Sequence, residues 1–156
     1  MAGVRGRPTS IACADGRAFE AVVTDLQGGM LLVPTYVAPS SIQGLGLFAA
    51  EAIPAGEALW RFEPEIDVVI PFERVERLPA AFRAFLDRYA YTSHDIPGGV
   101  VVSCDHAKFM NHSEDPNTEI RPFVTVARHP IAKGEEITCD YRACCASWQG
   151  FGDEAA

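Results

Sequence analysis

Only one stretch of this chain carries a helical period, and the other apolar runs are short and bounded by Pro or Gly. Within residues 79–91, Phe82, Phe85, Leu86 and Tyr89 fall at i, i+3, i+4 and i+7. Pro79 stands where a first helical turn accepts it, and Arg83, Asp87 and Arg88 take the wet side. That spacing predicts one helix whose apolar stripe packs into the core. The remaining runs have strand length. Met30 opens Leu-Leu-Val-Pro-Thr-Tyr-Val, and 45–62 reads as strand, turn, strand around Ile53-Pro54-Ala55-Gly56. Further strands are expected at 66–70, 100–104, 123–127 and 137–141, the last two separated by a turn at Lys133-Gly134. One helix among many short strands predicts a mostly β fold of small sheets.

A chain of 156 residues has the length of one domain and can bury a core without staples. Residues 1–29 are small, polar and Gly-rich. They read as a loose N-terminal extension, with translation from Met30 or an extra strand at 18–23 as alternatives. The net charge of −8 has the wrong sign for a general nucleic-acid binder, which needs clustered cations for phosphate. It suits a cationic partner, or simply solubility. Cys13, Cys104, Cys139, Cys144 and Cys145 show no disulfide or zinc spacing. With no apolar signal segment and no membrane-length run, free thiols predict a cytoplasmic protein. The basic residues are arginines apart from Lys108 and Lys133, a bias that hints at a GC-rich bacterial genome.

Three stretches carry chemistry. Gly44-Leu45-Gly46-Leu47-Phe48-Ala49 fits a relaxed dinucleotide fingerprint, but Pro54 and Gly56 stop the helix such a site requires. What survives is a bend whose backbone can approach a ligand closely, or a plain hairpin turn. Phe109-Met110-Asn111-His112-Ser113-Glu114-Asp115-Pro116-Asn117 sets three polar side chains before an Asp-Pro turn. His94, His106 and His129 lack metal-ligand spacing to His112. Gly134-Glu135-Glu136-Ile137-Thr138-Cys139-Asp140-Tyr141 is, alone, a turn into a strand ending in a core aromatic.

Together, Asn-His-Ser-x-x-Pro-Asn and Gly-Glu-Glu-x-x-x-Asp-Tyr, in this order after the Gly-x-Gly bend, resemble the SET-domain family of protein-lysine methyltransferases. The resemblance covers roughly 31–141. It implies a β-clip fold of small sheets with a C-terminal pseudoknot, with the SET domain at 30–141 and a tail at 142–156. It implies S-adenosylmethionine as cofactor, held by Gly44, Leu45, Gly46, Asn111, His112, Tyr141 and Trp148, and a lysine-containing basic protein or peptide as substrate. Tyr141 matches the catalytic tyrosine at the end of a narrow lysine channel, and Tyr91 is a looser match to a second channel tyrosine. Asp105 and Asn117 match supporting positions. Membrane and nucleic-acid partners are not expected, and a homodimer would complete the substrate groove.

Two departures from the family stand out. Glu114 occupies the place of a Cys in relatives with a post-SET zinc cluster, and Arg142-Ala143-Cys144-Cys145 lacks their Cys-x-Cys, so no metal is expected. Trp148 or Phe151 would then lie over the adenine as a lid, or mark a dimer contact. Cys139 stands where the family usually carries Phe or Tyr, which predicts a roomier pocket able to hold di- or trimethyl-lysine. The alternative to an enzyme is a catalytically silent SET-like module that binds a peptide or the cofactor. A structural β-clip domain is a third reading.

Overall fold

The computed structural model describes residues 30–144 and, in backbone alone, two short strands before them. Those are β1 (Ile11–Ala12) and β2 (Ala18–Phe19), which pair antiparallel; the second falls within the extra strand considered for 18–23. The expected N-terminal extension otherwise lies outside the described residues. β3 (Met30–Leu31) and β4 (Thr35–Pro39) divide the run that the sequence reads as one strand. Pro34 falls between them, and a residue without an N–H interrupts a ladder. β3 accordingly joins β6 (Ala58–Arg61), while β4 joins β5 (Leu45–Ala49).

The chain continues through β7 (Val68–Pro71), the single turn α1 (Phe72–Val75), α2 (Ala80–Tyr89), β8 (Ala90–Tyr91) and β9 (Gly99–Val102). β7, β9 and β8 form a three-stranded sheet. A 3-10 turn (His106–Phe109) then leads into β10 (Asn111–His112). The last elements are β11 (Thr118–Arg121), β12 (Val124–Ala127), β13 (Glu136–Cys139) and the helical turn α3 (Tyr141–Cys144). Two four-stranded sheets, ordered β10-β13-β5-β4 and β11-β12-β6-β3, enclose the core of Leu47, Ala49, Ile53, Leu59, Met110, Ala127, Ile131, Ile137 and Cys139. The fold is mostly β with one main helix, as the sequence predicts. Among the described residues, no helix is long and apolar enough to cross a membrane.

Two local expectations need correction. The stripe on α2 is not core throughout: Leu86 is buried at 3%, but Phe82 and Phe85 are 42% and 36% exposed. The helix is only ten residues long, and the two phenylalanines stack on one another with centroids 5.6 Å apart. Periodicity finds the apolar face but not how much of it the neighbouring sheets can cover. Tyr141 does not end a strand. β13 stops at Cys139, and Tyr141 opens α3.

Candidate active site

The site is built on one unusual pairing. β10 lies parallel to β13, with Asn111 opposite Thr138 and His112 opposite Cys139. Parallel neighbours need a long crossover, and here it is the chain from Ser113 to Glu135 that carries β11 and β12 through the other sheet. The strand leading to Tyr141 is thereby set beside the Asn-His step, in the manner of a pseudoknot. Asn117 fastens the crossing. It is 5% exposed, its amide donates to the Glu136 carbonyl at 2.8 Å, and its Oδ1 accepts from the Thr138 N–H at 2.9 Å.

Tyr141 is fixed at both ends. Its backbone N–H donates to His112 Nδ1 at 3.2 Å, and its phenol donates to the Met110 carbonyl at 2.8 Å. The imidazole and phenol rings lie 5.5 Å apart. Because Nδ1 accepts, the neutral imidazole carries its proton on Nε2, which faces Glu114 Oε1 at 3.2 Å. Glu114 also takes Arg142 Nη2 at 2.7 Å. These two bonds, that of His112 first, hold its carboxyl below the usual range. Asp140 is likewise lowered, chiefly by Arg142, whose Nε donates to it at 2.9 Å.

The Gly bend is tied to the same step. Asn111, 7% exposed, sends its side-chain N–H groups to the carbonyls of Gln43 (3.2 Å) and Leu45 (3.1 Å) and to Glu136 Oε1 (2.8 Å). Gly44 has φ +52°, a left-handed conformation that side chains disfavour, and a Cβ there would meet Arg88 Nη2 at 2.9 Å. Leu45 is 45% exposed at the rim. Gly44, Leu45, Gly46, Asn111, His112 and Tyr141 are therefore drawn into one locality by hydrogen bonds that span 29 to 68 positions of chain and by the pairing of β10 with β13.

Residues 44–142, more than half of the chain, match the SET domain. The chain belongs to the SET-domain family. A crystal structure described as a candidate histone methyltransferase of Plasmodium falciparum is 25% identical, with a TM-score of 0.52, over 71% of this chain and 95% of that one. An apo structure of ctPRC2 with a substituted Ezh2 is 24% identical, with a TM-score of 0.57, over 70% of this chain and 15% of that one, and supports the fold alone. None of the curated proteins matches the sequence.

Within this SET domain the remaining predicted residues fall in different places. Cys139 is buried at 6%, with its side chain in the hydrophobic core cluster against which Tyr141 packs. Tyr91 lies on β8, edge-on to Trp60 at 6.4 Å, and lines a shallow cleft. Ala143 and Cys144, on the turn that Tyr141 opens, line the same cleft, together with Phe62 and Phe123. The expected lid residues Trp148 and Phe151 lie outside the described residues. Among the described residues no group of three or more His, Cys, Asp or Glu side chains is placed to hold a metal. Asp105 caps the 3-10 turn by accepting from the Ala107 N–H at 2.8 Å and also takes the Leu31 N–H at 2.9 Å. Sequence reading assigned no role at the site to Glu136, Ser40 or Arg88. Only Glu136 had a usable signal, since it sits inside the Gly-Glu-Glu motif.

Proposed function

We propose that this SET domain transfers a methyl group from S-adenosylmethionine to the side-chain amine of lysine in a basic protein or peptide. The observation that carries the reading is the phenol of Tyr141, fixed on the Met110 carbonyl one residue before the Asn-His step. The donor set fits the cofactor. β10 is the outer strand of its sheet, beside a Gly bend and near the carboxylates of Glu114 and Asp140, a setting compatible with a sulfonium. The cofactor supplies a methyl carbon on an excellent leaving group, so the protein must supply alignment and a neutral amine.

Alignment falls to Tyr141. Its O–H donates to the Met110 carbonyl, so Oη meets an incoming amine as an acceptor and turns the nitrogen lone pair away from itself. A phenol with a reference pKa of about 10 is a poor standing base at pH 7, which leaves orientation as its role. The cleft lined by Tyr91, Trp60, Phe62 and Phe123 suits the apolar stem of lysine. Neutralising lysine at pH 7 costs roughly 4.6 kcal/mol from its reference pKa, and an apolar channel beside a positive sulfonium lowers that cost. The net charge of −8 favours a Lys-rich partner. A cytoplasmic setting and a homodimer, both expected from the sequence, belong to the same reading.

The test is transfer of a labelled methyl group to basic proteins of a lysate, with Tyr141→Phe as control and the rate followed against pH. Turnover is expected to rise from pH 6 to 9 as the amine loses its proton. A flat profile with chemistry limiting would contradict the amine argument. Calorimetric binding of S-adenosylmethionine with no transfer to any protein would instead identify a silent module.

Product number is expected to depend on Cys139. Its small side chain, in the core cluster against which Tyr141 packs, is proposed to leave room beside Tyr141 for di- or trimethyl-lysine, and Cys139→Tyr should shift the product toward monomethyl-lysine. Mass spectrometry of the product distinguishes the outcomes, with a melting curve to confirm that the larger side chain is accepted in the core. Monomethyl product alone from both proteins would reject this role for Cys139.

A further inference from the structure

The Gly-Glu-Glu motif contains a side chain that the reaction described above leaves unused. Glu136 stands on β13 opposite Phe48 of β5, and its carboxylate reaches the Gly bend. Ser40 Oγ donates to both of its oxygens at 2.8 Å, and Asn111 Nδ2 donates to Oε1 at 2.8 Å. Ser40 in turn accepts the backbone N–H of Ile42 at 2.9 Å, inside the loop that leads to Gly44. A Cβ built on Gly46 would collide with Oε1 and lie 2.8 Å from the Glu136 Cδ and 3.1 Å from the Ser40 Cβ. Gly46 has no positive φ to require a glycine. The space at residue 46 is therefore taken by a carboxylate from another strand.

We infer that Glu136 is a positioning residue for the cofactor cradle, its carboxylate seated in the space left by Gly46 and joining Ser40, Asn111 and the 40–46 bend into one unit. This rests on the methyltransferase reading, since the cradle is the bend and the Asn-His step together. Asn111 would otherwise have only the carbonyls of Gln43 and Leu45 to hold its amide. Hydrogen bonds to a charged acceptor are stronger than neutral ones, so the carboxylate sets where that amide stops. The role of Gly46 follows. It is small so that Glu136 can reach Asn111, and a close approach of the ligand to residue 46 is not needed to explain it.

The test is a double-mutant cycle between positions 46 and 136, read as the calorimetric Kd for S-adenosylmethionine and as KM for cofactor against kcat. Glu136→Ala is expected to weaken cofactor binding by about tenfold, the loss of a charge-assisted contact network. It should act mainly on KM for the cofactor. Glu136→Gln, whose amide oxygen can accept from both Ser40 and Asn111, should recover most of that loss. Gly46→Ala should also cost about tenfold alone, yet less than about threefold when added to Glu136→Ala, because the obstructing carboxylate is gone. Melting curves on each variant confirm folding. Equal losses from Gly46→Ala in both backgrounds would overturn the inference, because the glycine would then serve something else. So would a Glu136→Ala protein that binds as tightly as the parent. A parent protein that binds no S-adenosylmethionine would defeat the methyltransferase reading itself, a separate result from either of these.

Discussion

Tyr141→Phe is expected to reduce methyl transfer by at least about 100-fold while the Kd for S-adenosylmethionine changes by less than about threefold. The substitution removes one oxygen. In the folded protein that oxygen donates to the Met110 carbonyl at 2.8 Å, a fixed point on the strand-side wall of the site. Without it the ring can keep its place, since the backbone N–H of residue 141 still donates to His112 Nδ1. The Gly bend and Asn111 are held by other bonds, through Gln43, Leu45 and Glu136. The cradle should therefore survive while the acceptor proposed to orient the amine is lost. Misorientation is costly in an in-line displacement, because alignment alone can contribute several kcal/mol to the barrier. Single-turnover methylation with a basic protein substrate, alongside calorimetry, separates the two effects. Full turnover in the variant would remove Tyr141 from the mechanism.

The second large effect concerns stability. Asn117→Ala should lower the melting temperature by on the order of 10 °C, corresponding to about 3 kcal/mol. Asn117 and Thr138 are both buried, at 5% and 7%. The amide satisfies the Glu136 carbonyl and the Thr138 N–H, and it also donates to Glu135 Oε1 at 3.0 Å. Alanine removes a partner from the buried Thr138 N–H and from the part-buried Glu136 carbonyl, at about 1–3 kcal/mol each. A folded domain has only about 5–15 kcal/mol to lose. Asn117→Asp should be no better. It keeps an acceptor for Thr138 but loses the donor to Glu136 and sets a carboxylate against that of Glu135, already held below its usual range by the Ala132 N–H and then by Asn117. Thermal and urea denaturation measure this directly. A shift of under about 2 °C in both variants would show that the crossing is held elsewhere.

The two predictions divide the motifs by task. Asn111, His112 and Tyr141 meet at the proposed chemistry, whereas Asn117, in the same signature, serves the threading that brings them together. Asp105 is of the second kind, a capping carboxylate that also ties β3 to the turn before β10.

Much of the strand pattern was legible, because strand length and turn chemistry are local. The Pro54-Gly56 turn, the Gly134 turn and the runs that became β5, β6, β7, β9, β12 and β13 were all readable from neighbours in sequence. β11 escaped notice, since Thr118-Glu119-Ile120-Arg121 has too little apolar character to stand out. β10 escaped for a stronger reason. A two-residue strand has no period, and its partner among the described residues lies 27 positions on, at Thr138 and Cys139. The stripe on α2 shows the opposite failure: its spacing was right, yet the fold covers only Leu86 fully.

The sequence alone determined a β-rich chain with one helix, where its turns fall and which residue types stand in the Asn-His and Asp-Tyr motifs, since these depend on local propensity and on side-chain identity. Only the tertiary structure decided that β10 runs parallel beside β13, that the Tyr141 phenol ends on the Met110 carbonyl, and that Glu136 occupies the space beside Gly46. Each of these is a contact across at least 25 positions of chain. The geometry of such a contact is fixed by closing the loop between its ends and satisfying buried polar groups on arrival, and no local window of sequence contains either condition.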